Sequence, residues 1–184
     1  MKKKLYTLLL LFSALAGLGS LFLSCDSDDD STNCQGIDCL PPATTTGEGT
    51  FGCLVNGEPF VDNSGAFNCF YQLVDGEYFF SISPNFEGKK LVELDLGSNA
   101  INFSNSPNFI ISDYSIGNGG AAFFISGEGR NIQTNMERTG ICDINYFNNE
   151  NNIISGTFEF EIFDEVTQTL YIVTEGRFDA IFTQ

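Results

Sequence analysis

The chain is acidic, has the length of a small protein, and lacks two residue types that many functional sites use. It has 184 residues, with 24 Asp and Glu against 8 Lys and Arg, a formal net charge of −16 at pH 7, and neither His nor Trp. The charge argues against nucleic acid as a partner, because such binding depends on Lys and Arg at the phosphates. The lack of His removes the commonest metal ligand and the side chain best suited to acid–base chemistry near neutral pH.

Residues 1–24 have the layout of a secretory signal peptide. Three lysines precede an uncharged, mostly apolar run from residue 5 to the small residue Ser24, and Cys25 follows. This arrangement resembles a bacterial lipobox, in which the cysteine is acylated and becomes the first residue of the mature chain, although Phe22 stands where Leu is usual. Two alternatives stay open: the run is long enough to span a bilayer uncut, and Ala14-Leu15-Ala16 fits a cut site that releases a soluble protein. We expect lipidation on Cys25.

Residues 25–47 have the composition of an unfolded acidic tether. Too few of them are apolar to offset the entropy lost on ordering. The four aspartates after the cysteine resemble the export signals of Bacteroidota surface lipoproteins, and a solvated spacer is the plain alternative. The predicted location is the outer membrane, surface-exposed or otherwise facing the periplasm, with the lipid as the membrane contact. The export-signal residues are Asp26, Asp28, Asp29 and Asp30.

From residue 48 the pattern changes to short apolar segments with a two-residue period, which is typical of β-strands. Two hairpins are predicted at Asn56-Gly57 and Asp75-Gly76, because these dipeptides tolerate the positive φ angles of a type I′ turn. Further segments begin near residues 91, 100, 108, 121, 131, 142, 153, 169 and 176. About ten strands and no helical period predict one all-β domain over residues 48–184, a single antiparallel β-sandwich or barrel-like sheet.

The last strands distinguish a buried face from an exposed one. Phe158, Phe160 and Ile162 alternate with Glu159 and Glu161. In the same way Phe178, Ala180 and Phe182 alternate with residues 177, 179 and 181, which are expected to face outward. The sequence therefore predicts a phenylalanine-rich core.

Four short motifs at the two ends of the predicted domain carry a family resemblance. They are LPPATTTG at 40–47, TFGCLVNG at 50–57, ISGTFEF at 154–160 and GRFD at 176–179. Together they resemble the opening and closing segments of a family of Bacteroidota lipoproteins classed only as a domain of unknown function. The resemblance implies an exported β-rich domain behind a tether, and it implies no activity, since none is established for the family.

Five cysteines remain if Cys25 is lipidated, which is an odd number for an oxidising compartment. Cys34 and Cys39 would close a short loop within the tether. The other three, Cys53, Cys69 and Cys142, lie on apolar strand faces. We expect one core disulfide among them and one buried free thiol, and the pairing stays open. No zinc site is predicted, because there is no C-x2-C pair and no His. A cysteine nucleophile would lack an imidazole base.

Carboxylate clusters offer weaker hypotheses. Glu159 and Glu161 would lie about 7 Å apart on one strand face, a separation that an inverting glycosidase can use. The same alternation at Glu93 and Asp95 indicates a solvated strand face instead. Residues 148–152 are rich in the side-chain oxygens that Ca²⁺ takes as ligands. They lack the spacing of an EF-hand loop, however, and are interpreted as a hairpin loop. The glycine-rich residues 117–120 and 127–130 lack the strand-to-helix context and the Lys-Ser/Thr of a phosphate-binding loop, and they are interpreted as turns. No metal or cofactor is predicted.

The sequence therefore predicts a non-catalytic, lipid-anchored envelope protein whose domain serves display, binding or assembly, with an unknown envelope protein or glycan as partner. The alternative is a carbohydrate-binding accessory module, which would need exposed aromatic platforms. Five tyrosines are available for this: Tyr71, Tyr78, Tyr114, Tyr146 and Tyr171. Of these, Tyr71 and Tyr146 are expected to face the core. A hydrolase that uses carboxylates alone is a third hypothesis.

Overall fold

A computed structural model describes residues 34–184, and these residues form an all-β fold. One turn of 3-10 helix at Gly36–Cys39 precedes eleven strands. The strands are β1 (Thr50–Val55), β2 (Glu58–Asp62), β3 (Asn68–Val74), β4 (Glu77–Ser83), β5 (Leu91–Asn99), β6 (Asn108–Ile111), β7 (Gly119–Ile125), β8 (Arg130–Gln133), β9 (Gly140–Asn148), β10 (Ile153–Asp164) and β11 (Thr169–Ile181). The predicted fold class is confirmed. Residues 34–184 contain no helix that is long and apolar enough to cross a membrane.

The strands form one large, mostly antiparallel sheet that is not closed. Their order is β2-β1-β11-β10-β9-β6-β7-β5-β4-β3, with β8 paired to β7. The short contact of β6 with β7 is parallel. The sheet curls back on itself, so that Phe70 of β3 forms an isolated parallel bridge with Thr183, just beyond β11. The two halves of the sheet therefore face each other as in a β-sandwich.

Phenylalanine rings fill the space between the two halves. The ring centroids of Phe80 on β4 and Phe178 on β11 lie 5.9 Å apart, although these strands are far apart in the sheet order. Phe158, Phe160 and Ile162 are buried while Glu159 is exposed, as the alternation predicts. Each buried aromatic side chain contributes about 1.5 to 3 kcal/mol.

Both predicted tight hairpins are present. Asn56 and Gly57 have φ angles of 51° and 85°, and Asp75 and Gly76 have φ angles of 51° and 89°. Two central residues with positive φ define the type I′ turn, whose twist matches that of the flanking strands.

Two strand predictions differ from the structure. The segment at residues 100–104 is not a strand, because Ala100 has a φ of 59° and turns the chain away from the sheet. The segments at 169–174 and 176–183 are one strand, β11, which continues through Glu175 at a φ of 54°. A register shift against β10 at this point keeps both halves of β11 paired.

The ordered domain begins earlier than the predicted boundary at residue 48. Residues from Cys34 onward belong to the same compact unit as the strands. Leu40 and Pro41 are buried, although composition placed residues 34–47 in a disordered tether. We call residues 40–48 the strap, because this segment crosses the outer face of β11 and is hydrogen-bonded to it. The rest of the predicted tether, residues 25–33, and the predicted signal peptide lie outside the described residues.

Candidate functional site

The residues predicted for lipidation and export lie outside the part of the chain that the structure describes. They are Cys25, Asp26, Asp28, Asp29 and Asp30, and their roles stay predictions. The described residues carry three other features of interest: the strap, an acidic depression beside it, and a groove on the opposite face of the domain.

A single buried carboxylate holds the strap. Asp179 of β11 is 1% exposed, and the backbone N–H groups of residues 46–48 donate to it at 2.9 to 3.1 Å. The hydroxyls of Thr44 and Ser155 also donate to it, each at 2.6 Å. Alternation with Phe178 predicts an outward-facing Asp179, and the side chain does leave the core in that direction. The strap covers it, which the local pattern cannot indicate.

The environment of Asp179 favours its charged form. Burial raises the pKa of a carboxylate, but hydrogen bonds from Ser155, Thr44 and the backbone of Glu48 and Gly47 stabilise the anion more strongly. The pKa of Asp179 therefore lies below its ordinary value. The strap is held by an ionised acid in a water-poor site, where charge-assisted hydrogen bonds are strong.

The four motifs that carry the family resemblance meet in this region. A Cβ atom on Gly52 would lie 2.6 Å from Cδ of Pro41, so the glycine makes room for the strap. A Cβ on Gly156 would lie 2.7 Å from the ring of Phe178, and one on Gly176 would lie 2.5 Å from the ring of Phe158. The opening and closing motifs thus form one packing unit around the strap.

A second buried carboxylate, which the sequence analysis missed, closes another part of the sheet. Arg130 at the start of β8 donates two hydrogen bonds to Asp164 at the end of β10, at 2.9 and 2.7 Å. The side chain of Asp164 is fully buried and also accepts from the Thr167 hydroxyl at 2.7 Å. The guanidinium holds the pKa of Asp164 well below its usual range. Residues 130 and 164 are too far apart in sequence for their pairing to be recognised.

The cysteines partly follow the prediction. Cys34 and Cys39 form a disulfide with a Cα–Cα distance of 5.1 Å. The expected core disulfide is wrong, because all three core cysteines are free and buried: Cys53, Cys69 and Cys142. They lie on β1, β3 and β9, no two of which are neighbours in the sheet. Burial raises the pKa of all three thiols, that of Cys69 to about 12, so they are poor nucleophiles.

The paired glutamates lie at the surface. Glu159 is exposed, and Glu161 forms an ion pair of 3.1 Å with Arg138. Glu159 borders a depression of about 550 Å³ beside the strap, which we call the acidic depression, together with Asp143 and Glu175. Glu159 and Glu175 are exposed, and Ile141, Phe158 and Arg177 also line the depression. Among residues 34–184 no cluster of three or more His, Cys, Asp or Glu side chains has the geometry to hold a metal ion.

A second groove lies on the outer face of β4, β5, β7 and β8, and we call it the tyrosine groove. Its volume is about 290 Å³. The ring of Tyr114 forms one wall, and glycines and alanines form the floor. Asp95, Asp113 and Gln133 surround it as exposed polar side chains. The tyrosine groove therefore combines an aromatic surface with hydrogen-bonding groups.

The other tyrosines do not form such a wall. Tyr71 is buried, as expected, and stacks on Tyr78 with a centroid distance of 5.0 Å. Tyr171 is also buried. The expectation that Tyr146 faces the core is wrong, because this residue is 36% exposed near the end of β9. Tyr114 is 43% exposed.

The predicted loop and turn segments are found in part, because strands extend into each of them. Residues 149–152 connect β9 and β10, and Asn148 caps this loop by accepting from the backbone of Glu150 and Asn151. Residues 127–129 form the turn between β7 and β8. Of residues 117–120, only Gly117 lies in a turn, because β7 begins at Gly119.

Comparison with known proteins adds no functional information beyond this geometry. No protein-family model, curated protein or solved structure matches the chain. The resemblance to an envelope lipoprotein family therefore stays a prediction.

Proposed function

We propose that this chain is a lipid-anchored envelope protein whose all-β domain acts by binding or assembly rather than by catalysis. Its acyl chains would be attached to Cys25 and would hold it on the outer membrane. The observation that carries the proposal is the strap, which ties the amino-terminal end of the domain to β11 through Asp179.

The strap suits an anchored domain because it shortens the free connection to the lipid. Only nine peptide units separate Cys25 from Cys34, where the compact unit begins. Nine extended residues span at most about 32 Å. Four donors of the strap, the Thr44 hydroxyl and the backbone N–H groups of residues 46–48, bind Asp179 and so resist a pull on the amino terminus. A domain tethered in this way stays within that distance of the membrane.

The surface chemistry supports binding. Glu159 and Glu175 of the acidic depression are exposed to solvent, whereas the tyrosine groove has the mixed aromatic and polar surface typical of ligand sites. The negative net charge disfavours anionic lipid as a docking surface, so the acyl chains would supply the membrane affinity.

The proposal is tested by metabolic labelling in the native host with an alkyne-bearing fatty acid. The wild-type chain should carry the label and fractionate with the outer membrane, and Cys25→Ser should lose both properties. Cys34→Ser is the matched control and should keep the label. An unlabelled wild-type chain, or a labelled Cys25→Ser variant, would show that the anchor is wrong. Protease accessibility in intact cells distinguishes surface exposure from a periplasmic orientation.

A further inference from the structure

We infer that the tyrosine groove is a binding site for a neutral carbohydrate, with the ring of Tyr114 as the stacking platform. This inference rests on the proposed binding function and names its ligand class. It is independent of the lipid anchor.

The backbone holds Tyr114 in an unusual conformation. Its φ angle is 60°, in the left-handed region that bulky residues rarely adopt and that costs on the order of 1 to 2 kcal/mol. Three hydrogen bonds fix this residue. Asn99 Nδ2 donates to its carbonyl at 2.9 Å, its N–H donates to Gly119 at 3.3 Å, and its hydroxyl donates to the Ser98 carbonyl at 3.4 Å. Strain retained at an exposed aromatic residue is typical of functional positions.

The floor of the tyrosine groove consists of residues that leave space. A Cβ on Gly97 would lie 3.2 Å from Cε2 of Tyr114, and one on Gly120 would lie 3.0 Å from Cδ2. One edge of the ring therefore rests on the sheet, and the rest of the ring borders the groove. Ala122 continues the floor. Larger side chains at these positions would displace the ring and fill the groove.

The polar groups around the ring fit a polyol. Asp95 and Asp113 offer carboxylate oxygens, and the side-chain amide of Gln133 offers both a donor and an acceptor. Sugars present adjacent hydroxyls that donate to such oxygens and an apolar C–H face that packs on an aromatic ring. Ser83 donates to Asp95 Oδ1 at 2.6 Å and so orients this carboxylate.

Charge and size restrict the ligand further. Two carboxylates border the tyrosine groove in a chain of net charge −16, so uronic acids and sulfated sugars would be repelled. The volume of about 290 Å³ is at the low end for ligand pockets. These properties favour one ring of a neutral glycan, such as a chain end or a branch.

The test uses the purified full-length protein in detergent on an array of neutral and anionic glycans, with calorimetry on the neutral oligosaccharides that bind. Tyr114→Gly removes the ring and keeps a residue that tolerates positive φ, so this variant should fold. Its affinity should fall about tenfold or more, as for an aromatic hot spot. Tyr146→Ala removes an exposed tyrosine outside the groove and should change the affinity less than twofold. Asp95→Asn should also weaken binding.

Three outcomes would overturn the inference. They are no binding of the wild-type protein to any neutral glycan, unchanged affinity of Tyr114→Gly, and preferential binding of anionic glycans. The result is separable from the proposed anchor, because Cys25→Ser should bind the same glycans with the same affinity. Loss of glycan binding with intact acylation would refute only the groove, and the reverse would refute only the anchor.

Discussion

Replacing Asp179 by Asn should release the strap while leaving the sheet in place. Asn has the shape of Asp but lacks the charge, and its NH₂ group cannot accept a hydrogen bond. The three backbone donors of residues 46–48 and the hydroxyls of Thr44 and Ser155 would then face a neutral side chain. The amide oxygen can keep some of these bonds in a weaker, neutral form.

The magnitude follows from these contacts. A hydrogen bond to a charged group contributes about 1.5 to 3 kcal/mol and a neutral one about 0.5 to 1.5 kcal/mol. Losing this difference over three donors lowers the free energy of unfolding by about 3 kcal/mol. For a domain of this size the melting temperature should fall by about 6 to 12 °C. Glu159→Gln is the control, because it neutralises an exposed carboxylate on the neighbouring strand.

A glutamate-specific protease reports on the strap itself. The amide of Glu48 donates to Asp179, and the amide of Gly49 donates to the Asp179 carbonyl at 2.9 Å, so the bond between residues 48 and 49 is protected. Asp179→Asn should be cut there faster than the wild type under native conditions, with the site identified by mass spectrometry. Equal cleavage rates together with an unchanged melting temperature would refute this account of the strap.

Three further predictions concern acid stability, thiols and packing. Because the pKa values of Asp164 and Asp179 are depressed, the stability they contribute is present above the unfolded-state pKa of about 3.9 and is lost as the pH falls through their folded-state values. Melts between pH 7 and pH 2.5 should therefore show a smaller acid-induced loss in Asp179→Asn than in the wild type, and equal losses would contradict this. Maleimide should label no thiol in the native lipidated chain, three thiols in the denatured chain, and five in the denatured chain after reduction. A single label in the denatured, unreduced chain would indicate a core disulfide and contradict the structure. Gly176→Ala should cost about 1 to 3 kcal/mol through overpacking against Phe158, and a loss no larger than that of the exposed control Thr157→Ala would show that the site can adjust.

The strands and tight turns were predictable because their signals are local. An alternating strand such as β10 shows its buried face in any short window, and Asn56-Gly57 specifies its turn through two residues alone. The joining of two predicted segments into β11 was not predictable in the same way. It depends on a register shift against β10, which is a property of the paired strands.

The two buried aspartates show where local patterns fail. Asp164 and Asp179 were indistinguishable from the solvated acids that alternate with core residues elsewhere. Arg130 lies 34 residues from Asp164, and the strap residues that bind Asp179 lie more than 130 residues from it. The strap was missed for the same reason, since its polar composition indicates disorder unless a distant charge is available to bind its backbone.

The cysteine prediction failed for a geometric reason. Alternation placed the core cysteines on buried strand faces, which is correct. A disulfide requires Cα atoms about 4.4 to 6.8 Å apart, and strand order decides whether two strands come that close. The strand order depends on the pairing of segments that are distant in sequence. The sequence alone can therefore indicate the local disulfide between Cys34 and Cys39 but not whether the core cysteines pair.

The strap and the tyrosine groove occupy opposite outer faces of the domain. Phe80 and Phe178 meet across the core, so the outward side chains beside them point in opposite directions. Asp179 lies next to Phe178 and binds the strap, whereas Ser81 lies next to Phe80 and lines the groove. The residues that hold the strap are therefore separate from those that line the groove, so Asp179→Asn should release the strap without changing glycan affinity.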